Sequence, residues 1–84
     1  MNDVNWTDDA RDQLADIWVG ATPDERIAFE GLVARLEREL AEAPLEVGES
    51  RDGSVRVAIR SVLVFWFEVT LRVRIFRVTR PRRK

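Results

Sequence analysis

Apolar residues recur with two different periods along this chain, and the change between them divides it. In the first half they return every three or four positions: Ala10, Leu14, Ile17 and Trp18, then Phe29, Val33, Leu36 and Leu40, the second set widened by Ile27 and Leu32. Residues three and four apart share one face of an α-helix, so each set predicts an amphipathic helix. Thr7 offers a capping hydroxyl to the first, and Asp8 and Asp9 fall in its first turn, where the helix dipole favours carboxylates. With Gly20 as a stop, that helix is expected over residues 8–19. Thr22-Pro23-Asp24-Glu25 is a stronger start signal: Thr22 caps, Pro23 sits at the first helical position, and Glu25 completes a capping box. The second helix should end near Glu42, before Pro44, and the short connection makes the pair an αα-hairpin.

Beyond residue 54 the period falls to two. Val55, Val57 and Ile59 alternate with Arg56, Ala58 and Arg60; Leu63, Phe65, Phe67 and Val69 with Val64, Trp66 and Glu68; Leu71, Val73 and Ile75 with Arg72, Arg74 and Phe76. Three consecutive strands joined by short turns, a β-meander, are predicted. Residues 44–53 read as a connecting loop closed by an Asp52-Gly53 turn, and Val4-Asn5-Trp6 as a short extended piece. Strict alternation would send Arg77 inward and Val78 outward, so a bulge is expected between Ile75 and Val78. Residues 80–84 form a basic tail, and no repeat or interdomain linker interrupts a single domain over 1–84.

Charge sharpens this picture. Residues 1–50 carry thirteen Asp and Glu against four Arg, a net of −9, whereas residues 51–84 carry ten basic against two acidic residues, a net of +8. The overall charge of −1 conceals a strongly dipolar chain whose basic half should attract phosphates or carboxylates. Thirteen of the fourteen basic residues are Arg, whose planar fork suits bidentate recognition of such groups. If the apolar side of the sheet covers the helices, its open side collects Arg56, Arg60, Arg72 and Arg74 around Trp66, with Arg77 joining through the bulge. Arg80, Arg82 and Arg83 extend the basic surface. Guanidinium groups beside an exposed indole would suit phosphate contact and base stacking.

Other chemistry is thinly represented. The chain has no Cys and no His, which removes thiol nucleophiles, thiolate metal sites and the usual general base. Its serines therefore cannot enter a Ser-His-Asp triad, the acidic residues lack metal-ligand spacing, and no cofactor motif is present. The longest apolar run, Val62 to Phe67, is far short of the roughly 20 residues of a membrane span. With no leader-like segment at the N-terminus, a cytoplasmic location is expected.

Taken in order, these residues resemble the RelE/ParE superfamily of toxins from bacterial type II toxin–antitoxin modules. The likeness spans nearly the whole chain: an opening strand with a Trp (Val4-Asn5-Trp6-Thr7), a helix with Ala10, Leu14, Ile17 and Trp18, and a second helix followed by Pro44 and Gly48. Gly53-Ser54-Val55-Arg56-Val57 is similar to the family's G-x-x-R-V strand, Leu63 to Val69 to its central strand, and Val73-x-Ile75-x-x-Val78-x-Arg80 to its ending. The resemblance implies an α+β fold: a short N-terminal strand, an αα-hairpin, then a three-stranded antiparallel meander packed on the helices. It implies a cognate antitoxin as partner, a role in plasmid stabilization, and one of two targets. ParE-like members poison DNA gyrase by binding. RelE-like members cleave mRNA on the ribosome, which here would gather Arg56, Arg60, Arg77 and Arg80 at the scissile phosphate. This chain has neither Tyr nor His, the residues that usually move protons in RelE-like members, and carries Arg80 where many relatives have His. Arg is a poor base at neutral pH, which favours binding over cleavage. A toxin-like fold serving as a non-toxic interaction module is the third reading, and a homo-oligomer is compatible with all three. The chain stops at Lys84, which leaves no room for a C-terminal helix.

Overall fold

The computed structural model describes residues 2–81. In chain order it holds β1 (Val4–Trp6), α1 (Asp8–Val19), α2 (Pro23–Glu42), a 3₁₀ turn (Pro44–Glu46), β2 (Glu49–Asp52), β3 (Val55–Arg60), β4 (Leu63–Val69) and β5 (Val73–Thr79). Both helices begin as their sequences require. The Thr7 hydroxyl accepts from the Ala10 amide at 3.1 Å, and Thr22 and Glu25 close a reciprocal capping box. Gly20 caps α1 in an ordinary right-handed conformation, so its freedom to adopt positive φ is not used there.

One five-stranded sheet runs in the order β1-β5-β4-β3-β2, wider than the expected meander by a strand at each edge. The first pair is parallel, Val4 beside Val73 and Trp6 beside Ile75; all the others are antiparallel. On the inner side Phe65, Phe67, Leu63, Val73, Ile75 and Val78 meet Ala10 of α1 and Phe29, Leu36 and Leu40 of α2 in one buried cluster. Trp6 stands edge-on to Phe65 with ring centroids 6.2 Å apart. The expected bulge is present in β5: Phe67 pairs with Ile75 while Trp66 pairs with Arg77, leaving Phe76 as the extra residue. A bulge strands backbone groups that the ladder no longer pairs. The start of α1 lies beside them: Gln13 accepts from the Val78 amide at 2.7 Å, and the Thr7 hydroxyl donates to the Phe76 carbonyl.

Four expectations are corrected. Residues 49–52, expected as part of a loop, form edge strand β2; all four are exposed, so no apolar alternation marks them. Leu71 lies outside β5, in the preceding turn, and is 99% exposed. Ile27 faces solvent instead of widening the apolar stripe of α2. The fourth correction concerns β3, whose faces are the reverse of those expected. Arg56, Ala58 and Arg60 pair with Phe67, Phe65 and Leu63 and therefore share the helix side, which leaves Val55, Val57 and Ile59 on the open side. Ala58 is small enough to fit under the helices, and the two Arg at its flanks reach out over the margin of the core.

Candidate functional site

The reversal of β3 disperses the expected arginine cluster. Arg56 turns toward the loop before β2, where Nε donates to the Val47 carbonyl at 3.1 Å and Nη2 to the Gly48 carbonyl at 3.2 Å. Arg60 lies 3.5 Å from Glu39 of α2, close enough for attraction but not aligned as a hydrogen bond. Arg80, just past β5, pairs with Glu25 at 3.3 Å and sits over the Phe29 ring. The Thr22 amide, and after it the Arg80 guanidinium, holds the Glu25 carboxyl below its ordinary range, so the tie is complete at neutral pH and weakens only in acid. These three arginines are thus spread along the helix side, each committed to a carbonyl or a carboxylate. The expectation that Arg56 and Arg60 share a face with Trp66 is corrected.

This placement separates two kinds of arginine. Arg56→Ala removes two charge-assisted bonds to part-buried carbonyls and is expected to cost about 2 kcal/mol. Arg60→Ala breaks a half-buried pair that is not aligned as a hydrogen bond and is expected to cost about 1 kcal/mol. Urea unfolding followed by tryptophan fluorescence measures both; equal losses would show that Arg56 is not a structural clamp.

On the open side one constellation remains. Trp66 pairs with Val57 on one flank and Arg77 on the other, and the Arg77 guanidinium rides 5.3 Å above the indole centroid. Cation–π attraction holds the charge at the surface without neutralising it. The indole N–H is out of solvent and has no acceptor among the described residues. Beside this pair, Arg74 bonds Glu68 at 3.0 Å, and Arg72 is exposed in the turn ahead of β5, next to Leu71. A shallow depression of about 420 Å³ runs through Asn5, Glu68, Thr70, Leu71, Arg72 and Arg74. Arg72, Arg74 and Arg77 therefore do share one edge of the open side with Trp66. Arg82 and Arg83 lie outside the described residues. Among the described residues no group of three or more metal-ligating side chains converges, and no helix is long and apolar enough to cross a membrane.

Two further surfaces carry no signal in the sequence. Val55, Val57 and Ile59 make the open side more apolar than expected, and only the pairing partners of β3 could have revealed it. Between α1 and α2, Trp6, Leu14, Trp18 and Val33 line an apolar groove with volumes of about 280 and 330 Å³ at its two ends. Glu37 on its rim accepts from the Trp6 indole at 3.2 Å.

No family model matches the chain, and no curated protein matches it. Solved structures do. A chain of the chromosomal ParDE toxin–antitoxin system of P. aeruginosa superposes with a TM-score of 0.73 at 21% identity, covering 98% of each chain. A chain of the RelBE2 toxin–antitoxin complex of Mycobacterium tuberculosis superposes with a TM-score of 0.72 at 22% identity, covering 95% of this chain and 91% of that one. The chain therefore shares its fold with a chain of each of these two systems.

Proposed function

We propose that this chain is the toxin of a type II toxin–antitoxin pair, neutralised by a cognate antitoxin, and that it acts by binding its target, not by cutting RNA. Both structures named above are toxin–antitoxin complexes, and the shared fold covers almost the whole chain, which supports the first half of the reading. The second half rests on one observation: the arginines that phosphodiester cleavage would require do not converge. Arg56, Arg60 and Arg80 are tied down on the helix side at separate points, whereas Arg77 lies on the open side. The chain has no His or Tyr, the residues that usually move protons in RelE-like members. The surface left for a target is the open side around Trp66 and Arg77, extended by Arg72 and Arg74. Of the two targets that the resemblance implies, DNA gyrase is the one engaged by binding alone.

Induced expression in a bacterium, with pulse labelling of DNA and protein synthesis, tests the reading. Growth arrest with early failure of DNA synthesis is expected. Early failure of translation would favour the ribosome and mRNA cleavage, and unimpaired growth with soluble protein would favour a non-toxic module. Arg77→Ala is expected to relieve the arrest at least tenfold in surviving cells while the melting temperature stays within a few degrees, because Arg77 is exposed. Full toxicity in that variant would remove Trp66 and Arg77 from the target surface.

A further inference from the structure

The side of the sheet that faces away from the helices is unusually apolar. Its central positions are Val55, Val57 and Ile59 on β3 and Val64, Trp66 and Glu68 on β4, so only Glu68 is polar. Antiparallel sheets with one solvated face normally alternate apolar-in with polar-out. Ile59 remains 62% exposed and Trp66 is half-buried, whereas Val57 and Val64 are already buried within the single chain.

We propose that this face is a contact surface between two copies of the chain, related by a two-fold axis that runs along the strands between β3 and β4. The argument comes from the charges at its margins. One cross-strand row runs Glu49, Val57, Trp66, Arg77 from β2 to β5; the next runs Asp52, Val55, Glu68, Arg74. Each row begins with a carboxylate on β2 and ends with a guanidinium on β5. Rotation about the proposed axis reverses a row onto itself. Glu49 then faces Arg77 of the second copy, Asp52 faces its Arg74, and every pair occurs twice. A two-fold interface must be self-complementary in this way. Among the described residues Glu49, Asp52 and Arg77 have no ion-pair partner within their own chain.

The dimensions are compatible. Strands about 4.8 Å apart place β2 and β5 roughly 14 Å from each other, and sheets stack about 10 Å apart, a gap that Glu and Arg side chains reaching from both sides can span. Strand directions are preserved by the rotation, giving the aligned packing seen when two twisted sheets meet face to face. Ile59 and the half-buried Trp66 would supply the apolar surface newly covered by the contact, with the charged pairs of Glu49 and Arg77 toward its rim. A dimer built this way would withhold Trp66 and Arg77 from any other partner. The proposal rests on the sheet alone and stands or falls independently of the toxin reading.

Sedimentation velocity of the full chain over a range of micromolar concentrations tests it, comparing wild type with Glu49→Arg, Arg77→Glu and the double exchange. Wild type should approach twice the 9.7 kDa chain mass as concentration rises. Each single exchange should raise the dissociation constant at least tenfold by opposing like charges, and the double exchange should bring it back to within about threefold of wild type. Far-UV circular dichroism checks that these exposed substitutions leave the fold unchanged. A wild type that stays monomeric at several hundred micromolar would overturn the proposal and leave the face to an antitoxin or target segment. Dimers indifferent to both single exchanges, or a double exchange no better than the singles, would place the contact elsewhere and overturn it equally.

Discussion

Replacing Phe65 with Ala is expected to destabilise the fold by about 3–5 kcal/mol, the range for truncating a buried aromatic side chain. Phe65 is fully buried at the middle of β4, between Ala58 of β3 and Val78 of β5, and beneath the edge-on ring of Trp6. Its neighbour Ala58 has only a methyl group with which to fill the space, so the cavity should persist instead of collapsing. Loss of the Trp6 contact adds to the transfer and cavity terms. A chain of 84 residues is stable by roughly 4–12 kcal/mol at typical per-residue values, so this one change would consume much of the margin. Urea unfolding with a tryptophan fluorescence readout measures it. A loss below about 1.5 kcal/mol would mean that the helices settle into the gap and that the core is less tightly specified than its packing implies.

Gly48→Ala is the second large effect, expected at about 2–4 kcal/mol. Gly48 has φ +64°, a conformation that L-residues with a side chain rarely hold. A Cβ there would lie 2.8 Å from the Val57 carbonyl carbon and overlap its oxygen, so backbone, not a flexible side chain, would have to move. The displaced segment carries both the Gly48 carbonyl gripped by Arg56 and the entry into β2. Gly53 supplies the control. It has φ +55°, but nothing lies within 4 Å of its notional Cβ, so Gly53→Ala should incur backbone strain alone, about 1–2 kcal/mol. Amide exchange adds a local readout: protection along β2 and β3 should fall in Gly48→Ala before it falls in β4 and β5. If the two alanine variants are equally stable, the close approach of Gly48 to Val57 has no energetic consequence.

Local chemistry written into adjacent residues was legible; pairing between distant ones was less so. Thr7, Thr22 and Glu25 announced both helix starts, because a cap is a contact between residues three apart. The bulge in β5 was legible for a related reason: Ile75 and Val78 cannot both face the core without an extra residue between them. Edge strand β2 was hidden because Glu49, Ser50, Arg51 and Asp52 touch no core and need no apolar residue; charges on such an edge also discourage unwanted pairing. The side taken by β3 was misread because alternation identifies a strand but not which of its faces meets the helices. Val-Arg-Val-Ala-Ile-Arg suggests an apolar core face, yet the neighbouring strand puts its phenylalanines opposite the Arg and Ala positions. The candidate site inherited that error, which is why Arg72, Arg74 and Arg77 stand together with Trp66 while Arg56 and Arg60 do not.

The parallel pairing of β1 with β5 bears on how the molecule is made. Val4 finds its neighbour in Val73, and the Thr7 hydroxyl reaches a carbonyl 69 residues away, so the first strand synthesised waits for the last. At translation speeds of about 5–20 residues per second that wait lasts several seconds. During it Trp6, and the apolar faces of α1 and α2, have no sheet to cover. The helical hairpin is no independent nucleus either, since the docking surface of α1 is chiefly β5. The nascent chain therefore passes through a vulnerable interval open to proteases and chaperones, which ends only when β5 emerges and is inserted between β1 and β4. Premature termination before Val73 would yield no partly working fragment, only an unfolded one.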